Sequence, residues 1–533
     1  MNNQKELERK SLLQKIWSIA ADVRGNLKPL DFKDYIFGFL FYRFLSEKLT
    51  RNVNESMQNE YPGFDFAEYD DSEFKEESID GLREEIGFYI PPKNLFKNVT
   101  KNCLTNENLN IDLSEIFKDI EKSTKGLASE KDFSGLFDDL KFNNIKLGTN
   151  VAEINKMLAK TLIKISEINF GDFWDNSIDA FGDAYEYLMT MYSKNAGKTA
   201  GEFFTPQEVS ELLANITLID FNNLTKDHKF KKRISRVYDP ACGSGSLLLK
   251  YRKILGKDDA VAGYYGQEIN STTFSLARMN MFLHDIPFEK FRIALGDTLI
   301  NPDDELAQYK YDAIVSNPPY SIKWDGNNNP VLANDPRFIP AGVLAPNSKA
   351  DLAFTMHILH YLSETGTAAI VEFPGVLYRG GAEAKIRQYL VKNNFVDTII
   401  QLPSDLFFGT SIATCILVLR KNRRNGDKVL FINASELFVR SDAKNKLSTE
   451  NQEQILDTII NRKEIEHFSK LVSNQEIETN NWSLSVNTYV EEKSTKEVID
   501  IDELNKQIEE TTAKVNELRA KINKIVKELH NKK

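Results

Sequence analysis

Val237-Tyr238-Asp239-Pro240-Ala241-Cys242-Gly243-Ser244-Gly245-Ser246, followed by the apolar run Leu247 to Tyr251, reads as a strand that turns sharply into a helix. Pro240 cannot donate a ladder hydrogen bond and ends the strand, and the two glycines let the backbone approach a ligand closely. Gly-x-Gly alone is a common pattern. The third glycine of the dinucleotide fingerprint is missing here, with Leu248 in its place, and the Asp239 carboxylate would repel a pyrophosphate. The turn therefore predicts an α/β sheet whose ligand carries no phosphate.

Around this turn, apolar runs alternate with helical segments, the pattern of a doubly wound sheet. Seven strands are expected, at 237–240, 262–267, 291–295, 311–316, 368–373, 398–402 and 413–419. The second ends in Gly266-Gln267-Glu268 and the third in Gly296-Asp297, so acids recur at successive strand ends. Ligands of open α/β sheets bind at that edge. S-adenosylmethionine suits such a site: a carboxylate can meet its ammonium, backbone N–H groups its carboxylate, Glu268 its ribose and Asp297 its adenine amine. The fourth strand leads from Ile314 and Val315 into Asn317-Pro318-Pro319-Tyr320. Asn317 offers a side-chain carbonyl, the prolines leave backbone carbonyls unpaired, and Tyr320 offers a flat apolar face. Those acceptors beside a ring suit a planar group with an exocyclic amine, although Asn-Pro-Pro also ends strands that do no chemistry.

The chain of 533 residues has room for two to four domains, and 41% hydrophobic residues is ordinary for globular proteins. Charged residues interrupt every apolar run in the first fifty positions, so neither a signal peptide nor a membrane span is expected, and the expected compartment is the cytoplasm. Cys103, Cys242 and Cys415 are too scattered for a disulfide framework or a zinc site. His357 and His360 stand among Ile358, Leu359 and Leu362, which reads as a packed helix face, so no metal is indicated. The net charge of −10 means that a nucleic-acid role needs local basic patches or a partner. Lys226 to Arg236 and Arg420 to Lys428 are locally basic and read as solvated loops.

Residues 1 to about 170 read as helical, with an apolar stripe of Tyr35, Ile36, Phe39, Leu40 and Phe44. The acidic stretch 55–85 reads as irregular or weakly helical, and helices are expected at 111–122 and 151–165. Gly197-Lys198-Thr199 suggests a phosphate-binding loop, but Tyr192 stands where the earlier glycine is required and a helix precedes it. Thr205-Pro206 reads as a helix start with Pro206 at the first position. From Ile501, apolar residues Leu504, Ile508, Val515, Leu518, Ile522, Ile525 and Leu529 keep heptad spacing. Such a helix packs along another helix or folds back on its own domain.

In the order Phe203-Phe204-Thr205-Pro206, Asp239 to Gly245, Gly266-Gln267-Glu268, Gly296-Asp297 and Asn317 to Tyr320, these motifs resemble those of γ-class DNA adenine-N6 methyltransferases. Over nearly its full length the chain resembles the modification subunit of type I restriction-modification systems. The resemblance implies a helical domain over 1–170, a Rossmann-like seven-stranded methyltransferase domain over 171–435, and a linker with coiled-coil-like C-terminal helices over 436–533. Carried over residue by residue, it assigns Glu202, Phe203, Phe204, Thr205, Pro206, Gln207, Ser244, Gly245, Ser246 and Glu268 to S-adenosylmethionine. Asp239, Gly243 and Asp297 complete that set from the reading of the strand ends. Asn317, Pro318, Pro319 and Tyr320 would hold a flipped-out adenine. Double-stranded DNA, a DNA-specificity subunit, a restriction/translocase subunit and two copies per complex are implied as well. A separate specificity subunit also follows from the little room left for a recognition domain and from the acidic charge. Two alternatives stay open: a protein-glutamine methyltransferase, disfavoured by the Phe-Phe-Thr-Pro element, and an inactive scaffold, disfavoured by the intact acids.

Overall fold

A computed structural model of the protein describes residues 16–18, 29–70, 76–169, 180–195, 205–256, 260–407, 411–423, 426–441, 444–491 and 501–530. They fall into two compact units, Met1–Val490 and Glu491–Lys533. In the first unit the strands are β1 (Ile234–Asp239), β2 (Val261–Glu268), β3 (Phe291–Leu295), β4 (Tyr311–Ser316), β5 (Leu362–Glu372), β6 (Val396–Gln401), β7 (Cys415–Arg420), β8 (Val429–Asn433), β9 (Val439–Ser441), β10 (Lys444–Lys446) and β11 (Ser469–Val472).

Among the described residues one sheet has nine strands, in the order β11-β8-β6-β7-β5-β4-β1-β2-β3. That is two more than the seven expected, because β8 and β11 extend one edge. β11 pairs antiparallel with β8, so part of the stretch read as a linker belongs to the sheet. β7 also runs antiparallel, between β5 and β6, while β1 to β5 are parallel neighbours. The chain runs outward from β1 through β2 to β3 and then returns to the other side of β1 as β4. The β1/β4 border is therefore the switch point of the sheet, where a crevice opens at the strand ends.

Successive strand residues face opposite sides, and the core follows that alternation. Val237, Ala313, Val315, Ala369 and Val371 join one apolar cluster, while Tyr238, Ile314, Ala368 and Ile370 join the other. The first cluster also takes in the N-terminal helical region. There the helix Pro29–Met57 buries Phe37, Phe39, Phe41, Phe44 and Leu45, a wider apolar surface than the stripe expected from spacing. Phe282 of the helix Ser271–Leu283 has ring contacts to Phe41, Phe133 and Phe291. Arg278, 1% exposed, donates through Nη1 to the carbonyls of Lys131, Asp132 and Ser134. Helical region and sheet thus share one core. In the acidic stretch, Glu76–Ile86 forms a regular helix, with Glu76 and Glu77 in its first turn.

The basic run after β7 is not a solvated loop throughout. Arg420 and Arg423 both pair with Asp397 on β6, at 3.2 and 3.3 Å, and Arg462 joins them at 3.1 Å. Burial would raise the Asp397 carboxyl, yet the three arginines hold it down at about 2. In the second unit, Ile501–His530 is one helix, and Leu504, Ile508, Val515, Leu518, Ile522 and Ile525 of its heptad stripe are exposed. No described helix is long and apolar enough to cross a membrane.

Candidate active site

The strand-to-helix turn after β1 has the expected geometry. Gly243 and Gly245 adopt positive φ, at 53° and 77°, and Gly245 caps the helix Ser246–Leu255. A Cβ at Gly245 would lie 2.8 Å from Met281 Cε, and one at Gly266 on β2 would lie 2.9 Å from Cys242 Cβ and Sγ. Both positions need glycine, because the turn is pressed onto its neighbours.

The acids at the strand ends hold this turn in place. Glu268 Oε2 accepts from the Gly243 N–H at 3.0 Å and Oε1 from the Asn270 N–H at 2.8 Å. Asp239, 1% exposed, accepts at Oδ1 from the Ala241 N–H at 3.0 Å and from the Ser316 hydroxyl at 2.8 Å. The second bond ties the end of β1 to the end of β4. Burial, reinforced by the nearby Glu268 carboxylate, pushes Asp239 up to about 7, and burial raises Glu268 as well. Asp297 Oδ1 caps the N–H groups of Leu299 at 2.9 Å and Ile300 at 3.3 Å.

On the far side of the crevice stands Asn317. Its Nδ2 donates to Thr205 Oγ1 at 3.1 Å, and its Oδ1 accepts from the Tyr320 hydroxyl. Ser321 takes φ 52° directly after the motif, and its N–H donates to Asp351 Oδ1 at 3.0 Å. Asn317 is thereby oriented at both ends of its amide.

One cavity of about 340 Å³ joins the two sides. Thr205, Gly243, Ser246, Glu268, Asp297, Asn317 and Pro319 line it, together with Leu247, Ile269, Leu299, Trp324 and Phe354. Its volume and mixed lining, apolar walls with a few convergent acids and amides, fit a small ligand with a flat apolar part and hydroxyl and amine groups. The cavity thus suits S-adenosylmethionine. Not every nominated residue lines it: Asp239, Gly245, Pro318 and Tyr320 are not among the lining residues. Pro206 caps the helix Gln207–Leu218, one position before its expected place, and Gln207 Oε1 accepts from buried Lys250. The Ser244 carbonyl accepts from Asn280 Nδ2 at 2.9 Å. Glu202, Phe203, Phe204 and the Gly197-Lys198-Thr199 loop lie outside the described residues.

Several residues near the site were not nominated from sequence. Trp324 and Phe354 wall the cavity. Glu372, fully buried at the end of β5, accepts from the Thr355 hydroxyl at 2.8 Å, and burial together with the Asp351 charge pushes it up to about 8. The strand-end logic that picked Glu268 and Asp297 would have found Glu372 too. His357, buried on its helix as expected, bonds Tyr238 and Arg337.

The family of N-6 DNA methylases matches residues 176–498, and that of the HsdM N-terminal domain matches residues 12–165. The type I restriction enzyme MpnII methylase subunit of Mycoplasma pneumoniae is 46% identical over 526 residues, 96% of this chain and 94% of that protein. The MjaVII methylase subunit of Methanocaldococcus jannaschii is 34% identical over 374 residues, 68% of this chain and 60% of that protein. Among solved structures, a type I restriction-modification methyltransferase subunit from Streptococcus thermophilus superposes with a TM-score of 0.80 at 33% identity, covering 91% of this chain and 100% of that one.

Proposed function

Because this chain belongs to the methylase subunits of type I restriction enzymes and is an adenine-specific N6 DNA methyltransferase, we propose that the cavity at the β1/β4 border holds S-adenosylmethionine and the target adenine together. The observation that carries this reading is the single cavity lined by Glu268 and Asp297 on one side and by Asn317 and Pro319 on the other. When bound, S-adenosylmethionine supplies an electrophilic methyl group on a sulfonium centre. Glu268, whose two oxygens already order Gly243 and Asn270, would accept from the ribose hydroxyls, and Asp297 from the adenine amine of the cofactor. Asp239 lies beneath the turn and acts through it, holding Ala241 and Ser316.

Adenine N6 is a weak nucleophile, since its lone pair is delocalised into the ring, and it cannot be reached inside a duplex. The base is flipped out, at an unstacking cost of a few kcal/mol, and Tyr320 offers a face for it to stack on. Asn317 Oδ1 and the Pro318 carbonyl accept from the amine, which draws the nitrogen towards a pyramidal shape and aims its lone pair into the cavity. Thr205 holds the other end of the Asn317 amide, so the carbonyl end points to the acceptor side. No side chain forms a covalent intermediate.

The choice of which adenine to modify belongs to a separate DNA-specificity subunit, and cleavage to a restriction/translocase subunit, with two methylase copies per complex in the cytoplasm. The exposed heptad stripe of Ile501–His530 is the surface offered to the specificity subunit. The helical domain covers 1–170, the catalytic domain 171–435, and the partner-binding tail follows. The test is methylation of duplex DNA with labelled cofactor, with and without the specificity subunit. Label on adenine N6 only with the partner is expected, and Asn317→Ala should abolish it while cofactor binding stays within about threefold of wild type. Label on protein, or transfer at the wild-type rate by Asn317→Ala, would overturn the reading.

A further inference from the structure

Arg337 comes from the segment that follows the Asn317-Pro318-Pro319-Tyr320 motif, twenty residues before His357 in sequence, and is 4% exposed. All five of its N–H donors find acceptors. Nε and Nη2 fork onto Asp335, at 3.0 Å to Oδ1 and 2.6 Å to Oδ2. Nη1 donates to the Thr298 carbonyl at 2.8 Å and to His357 Nδ1 at 3.0 Å, and Nη2 donates to the Leu299 carbonyl at 2.8 Å. A guanidinium has no acceptor, so His357 Nδ1 carries no proton and Nε2–H donates to the Tyr238 hydroxyl at 3.0 Å. Two of these five bonds grip the peptide units directly after Asp297.

Those two carbonyls matter because of what the same short loop does on its other face. The N–H groups of Leu299 and Ile300 cap Asp297 Oδ1, and the Thr298 hydroxyl donates to the Pro240 carbonyl at 2.6 Å. If the 298–299 peptides rotate, Asp297 loses its cap and the loop loses its tie to the end of β1. Pro240, Asp297, Thr298 and Leu299 all line the cavity. We propose that Arg337 is a positioning residue: by clamping the Thr298 and Leu299 carbonyls it fixes Asp297 and the adjoining cavity wall for the adenosyl part of the cofactor. Because Arg337 belongs to the segment that follows the target-base motif, it also joins the acceptor side of the site to the donor side. This rests on the reading that the cavity takes S-adenosylmethionine.

The planar fork is essential, since one flat group must reach two successive carbonyls and a carboxylate at once, and a lysine ammonium cannot. His357 supplies a control: it is also buried in the same network, but it bonds neither carbonyl. The experiment measures S-adenosylmethionine binding to the full chain by calorimetry, with ligand-free melting alongside, for wild type, Arg337→Gln, Asp335→Asn and His357→Gln. Arg337→Gln should weaken binding by about tenfold or more, as loss of charged hydrogen bonds implies. His357→Gln should lower the melting temperature and leave affinity within about twofold, because the carbonyl clamp remains. In the complex with the specificity subunit, Arg337→Gln should raise KM for the cofactor while kcat at saturation falls less than about threefold.

Wild-type affinity in Arg337→Gln, or equal losses in Arg337→Gln and His357→Gln, overturns the proposal in favour of general packing. Should Arg337→Gln not fold, Asp335→Asn decides, since it loosens the guanidinium while sparing the sheet: it must bind more weakly than His357→Gln, and equality overturns the proposal. A wild-type chain that does not bind S-adenosylmethionine would sink the underlying reading instead.

Discussion

Asn317 and Tyr320 hold each other, the tyrosine hydroxyl donating to the carbonyl that the adenine amine would use on the proposed reading. On that reading the hydroxyl would compete with the substrate, whereas the ring would assist it. Tyr320→Phe should keep the transfer rate within about threefold of wild type, while Tyr320→Ala should lose about tenfold or more, as single-turnover methylation would show. Glu372 gives a pH prediction. In the unfolded chain its carboxyl titrates near the ordinary range, about 4.3, but in the fold burial and Asp351 push it up to about 8. Between those values the folded state holds the extra proton, so stability falls as pH rises. Glu372→Gln should flatten the decline in melting temperature between about pH 5 and 8, and an unchanged slope would mean that Glu372 does not titrate there. Single residues were legible where they end a strand or sit in a motif, as Glu268, Asp297 and Asn317 do. Arg337 was not, because its partners Thr298, Leu299 and His357 stand far from it along the chain and share no periodic signal with it.

Elements were read from apolar runs, and this worked where a strand is buried on both faces. β4 and β3 lie at the expected residues, and β2 differs by one residue at each end. β11 was missed because Ser469-Lys470-Leu471-Val472 is short and half polar, as an edge strand can be. Its partner β8 was not among the seven expected strands either, although Val429–Asn433 is buried throughout. Two predictions belong to elements. Gly245→Ala forces a side chain into left-handed backbone, at about 1–2 kcal/mol, and against Met281 as well. It should displace the turn and weaken cofactor binding by calorimetry, and wild-type affinity would contradict that. Asp397→Asn leaves Arg420, Arg423 and Arg462 crowded without their shared counter-charge, and should cost about 3–5 kcal/mol in denaturant unfolding. The contribution of Asp397 is present above the unfolded carboxylate range and is lost as pH falls towards about 2.

For the whole molecule, the two compact units allow the proposed division of tasks to be tested. A chain ending at Val490 should melt and bind cofactor like the full chain, yet lose methylation that depends on the specificity subunit, and retained dependent activity would move that contact elsewhere. Heptad spacing made the last helix legible, since a periodic stripe needs no knowledge of its partner. The union of helical region and sheet was not legible, because it depends on contacts such as Phe41 with Phe282 that no local pattern encodes. That union has a consequence during synthesis. The N-terminal helices leave the ribosome first, but Arg278 and Phe282, which close their core, follow more than a hundred residues after residue 170. At roughly 5–20 residues per second, the nascent helical region waits on the order of 5–20 s with its phenylalanine face bare. The order of translation therefore opens a window in which the native core does not yet shield that face.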